Sequence, residues 1–315
     1  MRPFKSFLFA TTLLSTCVGA ANAEVNVVAS IKPVHSLVAA VMEGVGTPTL
    51  IVEGAGSPHS YALKPSQAAR LQDADLVFWI GPELEAFLEK PIEGIATNAR
   101  VVPLIESHGL NQIRLREGGA FDAHDHAHGE DGHDDHDDHG HDGFDPHVWL
   151  DPVNAKAIVH EIEEALSEVD PDNAATYEAN ADTMMTRLDG LVEDIQSDLE
   201  PVRGRGFVVF HDAYQHFETR FDMPAVGSIT VSPEVMPGAE RVRELQEKVR
   251  SLNAGCVFSE PQFEPKLVST VTETTNAGTG VLDPLGASIE DGPELYFILI
   301  RGMGSALKEC LAERG

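Results

Sequence analysis

Seven histidines, His124, His126, His128, His133, His136, His139 and His141, fall in one run of the chain among Asp and Glu, with no Lys or Arg between Phe121 and Pro152. Imidazoles and carboxylates mixed in this way attract divalent cations. Gly129, Gly132, Gly140 and Gly143 predict a chain too loose to fix one geometry, so the run at 117–144 is expected to bind metal weakly. A solvated acidic linker is the plainer alternative. His147 is of another kind. It stands between Pro146 and Pro152, beside Val148, Trp149 and Leu150, in a segment that should pack. The loose run is expected to collect metal and His147 to help hold it.

Holding an ion requires further ligands on ordered elements. Apolar strands are predicted at Val25–Ser30, Thr49–Val52, Leu76–Ile80 and Val101–Leu104, alternating with helices at Val34–Val45, Pro65–Gln72 and Glu83–Glu89. Asp151 followed by Pro152 opens a helix to Val169 by the usual cap and N1 proline. Leu188, Leu191, Val192, Ile195 and Leu199 give helical spacing to a segment expected to run unbroken from Asn173 to Glu200, a strut of roughly 40 Å. The alternation then resumes, with strands at Phe207–Phe210, Ala225–Ser228, Cys256–Ser259 and Gly280–Leu282 and helices at Tyr214–Arg220, Ala239–Leu252, Lys266–Thr275 and Glu294–Leu311.

This pattern predicts an α/β protein. Two lobes of parallel sheet flanked by helices, at 24–170 and 203–315, are joined by one long rigid helix at 171–202, with two cores rather than one. Ligands of open parallel sheets bind beyond the carboxyl ends of strands. His59, His211 and Asp283 meet that condition, and His147 joins them from the end of the first lobe. Taken singly, each of these is more often structural. His35, at a helix start, reads as a capping or packing residue, and His160, among polar residues, as surface.

Arg2 and Lys5, the apolar run Phe7 to Val18 and the ending Ala21, Asn22, Ala23 form a secretory leader, with cleavage expected after Ala23. The apolar run is short for a membrane span, and Thr16 before Cys17 fits a lipoprotein signal poorly. A soluble, exported mature protein is expected. Loss of the two leader cations takes the formal net charge from −29 to about −31, a field that repels nucleic acid and anionic membrane and draws cations. Cys256 and Cys310 then remain as an even pair in an oxidising compartment and read as one disulfide, two buried thiols being the alternative.

The sequence resembles the zinc-binding proteins of bacterial high-affinity zinc uptake, within the metal-binding class (cluster A-I) of ABC-transporter solute-binding proteins. The likeness covers essentially the whole mature chain. It is carried by Ser30 to Pro33, Pro58 to Tyr61 with Pro65 and Ser66, Ala74 to Val77, Asp145 to Pro152, Phe210 to Tyr214, Glu260 to Gln262 and Asp283 to Gly286. The resemblance implies that His59, His147 and His211 bind Zn²⁺ in the cleft between the lobes, and that an inner-membrane ABC permease receives it. Three imidazoles suit zinc, whereas carboxylate-richer sites favour manganese. The fourth position is left to Asp283 or to water. The paired cysteines in the second lobe also belong to the resemblance.

Three rivals remain in view. An enzyme would use zinc to activate water, yet the chain has no HExxH helix, no Gly-x-Ser-x-Gly turn and no phosphate loop. A manganese or iron receptor of the same class would differ in metal preference. A periplasmic zinc store or chaperone would bind many ions tightly rather than one.

Overall fold

The structure, a computed structural model, describes residues 25–116, 143–230, 238–251, 254–264 and 266–313. The N-terminal segment read as a leader and the seven histidines of the run from His124 to His141 lie outside the described residues.

Two four-stranded, wholly parallel sheets form the frame. The first joins β1 (Val27–Ala29), β2 (Thr49–Leu50), β3 (Leu76–Trp79) and β4 (Arg100–Pro103) in the order β2-β1-β3-β4. The second joins β5 (Phe207–His211), β6 (Gly227–Thr230), β7 (Cys256–Ser259) and β8 (Gly278–Val281) in the order β6-β5-β7-β8. The two orders are the same once strands are counted from the start of each sheet, so the lobes repeat in topology although not in letters. The central strands β1, β3 and β5 are buried at every position, as parallel strands covered on both faces must be.

Helices α1 (Lys32–Val41), α2 (Pro65–Gln72) and α3 (Ala86–Ile95) flank the first sheet; α6 (Gln215–Phe221), α7 (Ala239–Ser251) and α8 (Lys266–Thr272) belong to the second. Between the lobes run α4 (Pro152–Val169) and α5 (Ala174–Leu199), and α9 (Leu295–Ala312) closes the chain. The side chain of Asp151 caps α4 by accepting from the Val153 N–H, as the Asp-Pro pair predicts. The 26 residues of α5 reach about 39 Å. Its buried face, Tyr177, Ala181, Met184, Leu188, Leu191, Ile195 and Leu199, packs against α4 and α1 from the first lobe and α9 from the second. Gly304 lets α9 close on α5, since a Cβ there would stand 3.1 Å from Ile195 Cδ1.

This shared packing corrects the expectation of two cores. One apolar core runs from Val27 and Phe78 in the first lobe through Leu188 and Ile195 to Phe258 and Leu307 in the second. Among the described residues a separate cluster, built on Val208, Phe210, Ile229 and Val257, lies on the other face of the second sheet from Phe207 and Val209. The helices between the sheets contribute to both sides, so the lobes are not independent bodies.

Element boundaries shift where side chains capture backbone groups. The Glu85 carboxylate accepts from the N–H groups of Ile80 and Gly81, holding the chain in a turn, so α3 begins at Ala86 rather than Glu83 and continues past Pro91. Glu218 likewise takes the Ala225 N–H, and β6 starts at Gly227. Cys256 on β7 and Cys310 on α9 are disulfide-bonded, with Cα atoms 6.2 Å apart, which ties the terminal helix to the sheet. Closing that loop contributes about 4 kcal/mol on the chain-entropy model. No helix among the described residues is long and apolar enough to cross a membrane.

Candidate metal centre

Three imidazoles from three separate elements meet between the sheets. His59 lies in the loop after β2, His147 precedes a short 3-10 turn at Val148–Leu150, and His211 ends β5. One nitrogen from each lies within 4.8 Å of the others, and no second such group occurs among the described residues. The ring centroids are 5.3 to 5.6 Å apart. His59 Nε2 and His147 Nε2 are separated by 3.2 Å. Two nitrogens bound to one tetrahedral zinc stand about 3.3 Å apart, so this pair already has the spacing of a coordination edge.

Two of the rings are held by carboxylates. His147 Nδ1 is 2.6 Å from Asp145 Oδ1, and His211 Nδ1 is 2.7 Å from Glu260 Oε1. A carboxylate only accepts, so each ring carries its proton on Nδ1 and directs the Nε2 lone pair inward. His211 Nε2 is buried without a hydrogen-bond partner, as suits an atom whose lone pair is directed at a metal. His147 and His211 are buried and His59 is half-buried, so His59 forms the solvent side. The space bounded by these rings with Ser57, Trp149, Glu260, Gln262, Phe263 and Leu285 is about 10 Å³, room for one ion or one water.

Burial, with the neighbouring His211 and His216, holds His147 well below the ordinary histidine range, so its lone pair is available. Burial also lowers His211, but the charge and hydrogen bond of Glu260 outweigh it and leave this ring above its usual value. Asp145 is pushed up to about 6 by burial, against the pull of His216, the His147 N–H and Arg116. It remains largely anionic at neutral pH.

The ligand-bearing segments are tied across the lobes. Trp149 Nε1 donates to the Pro284 carbonyl at 2.9 Å, and the Tyr296 hydroxyl donates to the Trp149 carbonyl at 2.8 Å. Arg116 pairs with Asp212 at 3.1 Å and with Glu218 at 2.5 Å. Arg220 grips Asp151 through two bonds of 2.7 Å. His216 Nε2 donates to the Asp145 carbonyl at 3.1 Å while its Nδ1 accepts from Asn154.

Of the sequence-predicted residues, His59, His147 and His211 come together. Asp283 stands outside that group: its Oδ1 accepts from the Gln262 side chain and from the N–H groups of Leu285 and Gly286, and its Oδ2 from that of Ala287. His35 is buried with Nε2 against the Pro48 carbonyl, a packing role, and His160 is exposed on α4. The sequence reading gave Asp145 and Glu260 no role. Asp145 could have been found from its place two residues before His147. Glu260 could have been found from its place just past β7, the neighbour of β5 where the strand order reverses.

The family model for ZnuA, the periplasmic component A of a zinc-uptake complex, matches residues 27–310. The high-affinity zinc uptake system protein ZnuA of Brucella suis biovar 1 is 49% identical over 334 aligned residues, which cover 99% of this chain and all of that one. The protein of the same name from Yersinia pestis is 36% identical over 301 residues, covering 90% and 91% of the two chains. Among solved structures, a crystal structure of ZnuA shares the fold with a TM-score of 0.74 at 24% identity, covering 90% of this chain and 100% of that one. The solute-binding protein FpvC of Pseudomonas aeruginosa in complex with Mn²⁺ shares it with a TM-score of 0.77 at 16% identity, covering 93% and 100%. The chain therefore belongs to the ZnuA family of periplasmic zinc-uptake components.

Proposed function

We propose that this chain is the periplasmic receptor that captures Zn²⁺ between its two lobes and passes it to an inner-membrane ABC permease. The observation that supports it best is the convergence of His59, His147 and His211, two of them carboxylate-backed, with the His59 and His147 nitrogens already at coordination spacing. Three neutral nitrogens in a closed space favour zinc over manganese, which prefers oxygen donors. The ion is cargo, and no catalytic role is assigned to the site. Cleavage after Ala23 would release a monomeric receptor, and the run from His124 to His141 would raise the local zinc concentration without forming the tight site.

Capture follows from the site's charge and shape. Asp145 and Glu260 orient two rings, His59 supplies the outer ligand, and the inter-lobe ties hold the set together before the ion arrives. Delivery then requires small adjustments of the His59 loop rather than wide hinge opening, because the lobes share one core. A competition titration tests the reading: Zn²⁺ should bind one tight site and resist displacement by a large excess of Mn²⁺, and His59→Ala should abolish that site. Mn²⁺ binding as tightly as Zn²⁺ would favour the manganese receptor, and many equally tight zinc sites would favour a store.

A further inference from the structure

Three histidines leave a fourth position for a donor from the cavity wall. Gln262 lies just past β7, on the same turn as Glu260, and lines the cavity shared by His59, His147 and His211. Asp283 does not line it. The Gln262 Nε2 amide donates to Asp283 Oδ1 at 3.1 Å. That carboxylate is fixed by the N–H groups of Leu285, Gly286 and Ala287 at 3.1, 2.9 and 2.6 Å. Because a carboxylate can only accept, the amide cannot rotate to present its oxygen to Asp283. Gln262 Oε1 is therefore directed away from Asp283, and it is buried without a hydrogen-bond partner. A buried polar atom without a partner calls for an explanation, and a cation in the adjoining cavity supplies one.

On the reading of this cavity as the zinc site, we propose that Gln262 Oε1 is the fourth donor to the bound ion and that Asp283 is the positioning residue that aims it. The donor is neutral. A site of three imidazoles and one amide oxygen leaves the ion's charge uncompensated by any direct ligand, which holds it less firmly than a carboxylate would and suits cargo that must be released. It also withholds the anionic oxygen that manganese prefers.

The test compares Gln262→Met, which keeps the length of the side chain and removes the donor, with Asp283→Asn, which removes the obligate acceptor and lets the amide rotate. Zinc affinity is measured by chelator competition, and the donor set by the visible absorption of bound Co²⁺. Gln262→Met is expected to weaken zinc by about tenfold or more, to change the Co²⁺ spectrum, and to leave metal-free melting near that of the parent. Asp283→Asn should move both readouts in the same direction. Should Gln262→Met fold poorly, Asp283→Asn in the otherwise native chain carries the test through the Co²⁺ spectrum. Parent-like affinity and spectrum in Gln262→Met would overturn the proposal, as would a further spectral change on adding Asp283→Asn to it, which would make Asp283 a ligand itself. Tight zinc retained in His59→Ala is a separate result, and it would overturn the underlying site as well.

Discussion

Glu260 Oε1 stands 2.7 Å from His211 Nδ1, joining the ends of the neighbouring strands β7 and β5. The same relation recurs between Asp145 and His147 on the first lobe's side of the cleft. Each lobe thus supplies one histidine oriented by a buried carboxylate.

Replacing Glu260 by Gln should lower zinc affinity by about 10- to 100-fold. The amide can still meet Nδ1, but it no longer favours one tautomer or offsets the ion's charge. Isothermal titration against the parent checks this; an unchanged affinity would make the Glu260 contact incidental.

Zinc affinity should fall as pH is lowered. The carboxylates around His211, Glu260 first, outweigh its burial and leave this ring above its usual value in the metal-free protein, so zinc competes with a proton there as pH falls. His147, held low, gives up none near neutrality. Loss of affinity is expected to begin above the ordinary histidine value of about 6.5 and to steepen below it, with proton release on binding visible as a dependence of the titration heat on buffer. Flat affinity down to about pH 5 would contradict a three-histidine site.

A second pH effect belongs to folding and not to metal. Burial pushes Glu85 up to about 7, against hydrogen bonds from the N–H groups of Gly81 and Ile80. Between its unfolded value near 4.5 and about 7, the native state holds a proton that the unfolded chain has lost, so stability decreases as pH rises through this window. The contribution is on the order of 3 kcal/mol. Denaturant melts of the metal-free protein at pH 5 and pH 8 should show this loss in the parent and a smaller one in Glu85→Gln; equal losses in both would contradict it.

The clamp between lobes should be worth more than its exposure suggests. Arg220 is 29% exposed, but its partner Asp151 is only 2% exposed, and truncating the arginine leaves that carboxylate buried beside the first turn of α4. Arg220→Ala is expected to destabilise the fold by about 2–4 kcal/mol, somewhat less than for a wholly buried pair. A denaturant midpoint within error of the parent would show that solvent compensates Asp151.

Much of this was legible in the letters. His147 was readable because prolines and apolar neighbours mark a packed segment, and His211 because it follows an apolar strand directly. The spacing of Leu188, Leu191, Ile195 and Leu199 marked the long helix to within a residue at each end. What was not legible depended on adjacency in space. Glu260 reaches His211 only because β7 pairs with β5, and Arg116 reaches Glu218 across 102 positions of chain. The single core was hidden for the same reason, since the apolar stripe of α5 does not say which helices will cover it. Asp283 shows the converse: a carboxylate at a strand end fits a ligand pattern, while its oxygens are engaged by three backbone N–H groups and one amide.

The most direct test of the account is calorimetric zinc titration, at neutral pH, of the mature protein beside a deletion of Asp122 to Asp142 and the His59→Ala variant. One tight site that survives the deletion and disappears in His59→Ala is the expected result, with only the weaker heats lost from the deletion. Tight binding that vanishes with the deleted run, or persists in His59→Ala, would contradict a receptor built on the three histidines between the lobes.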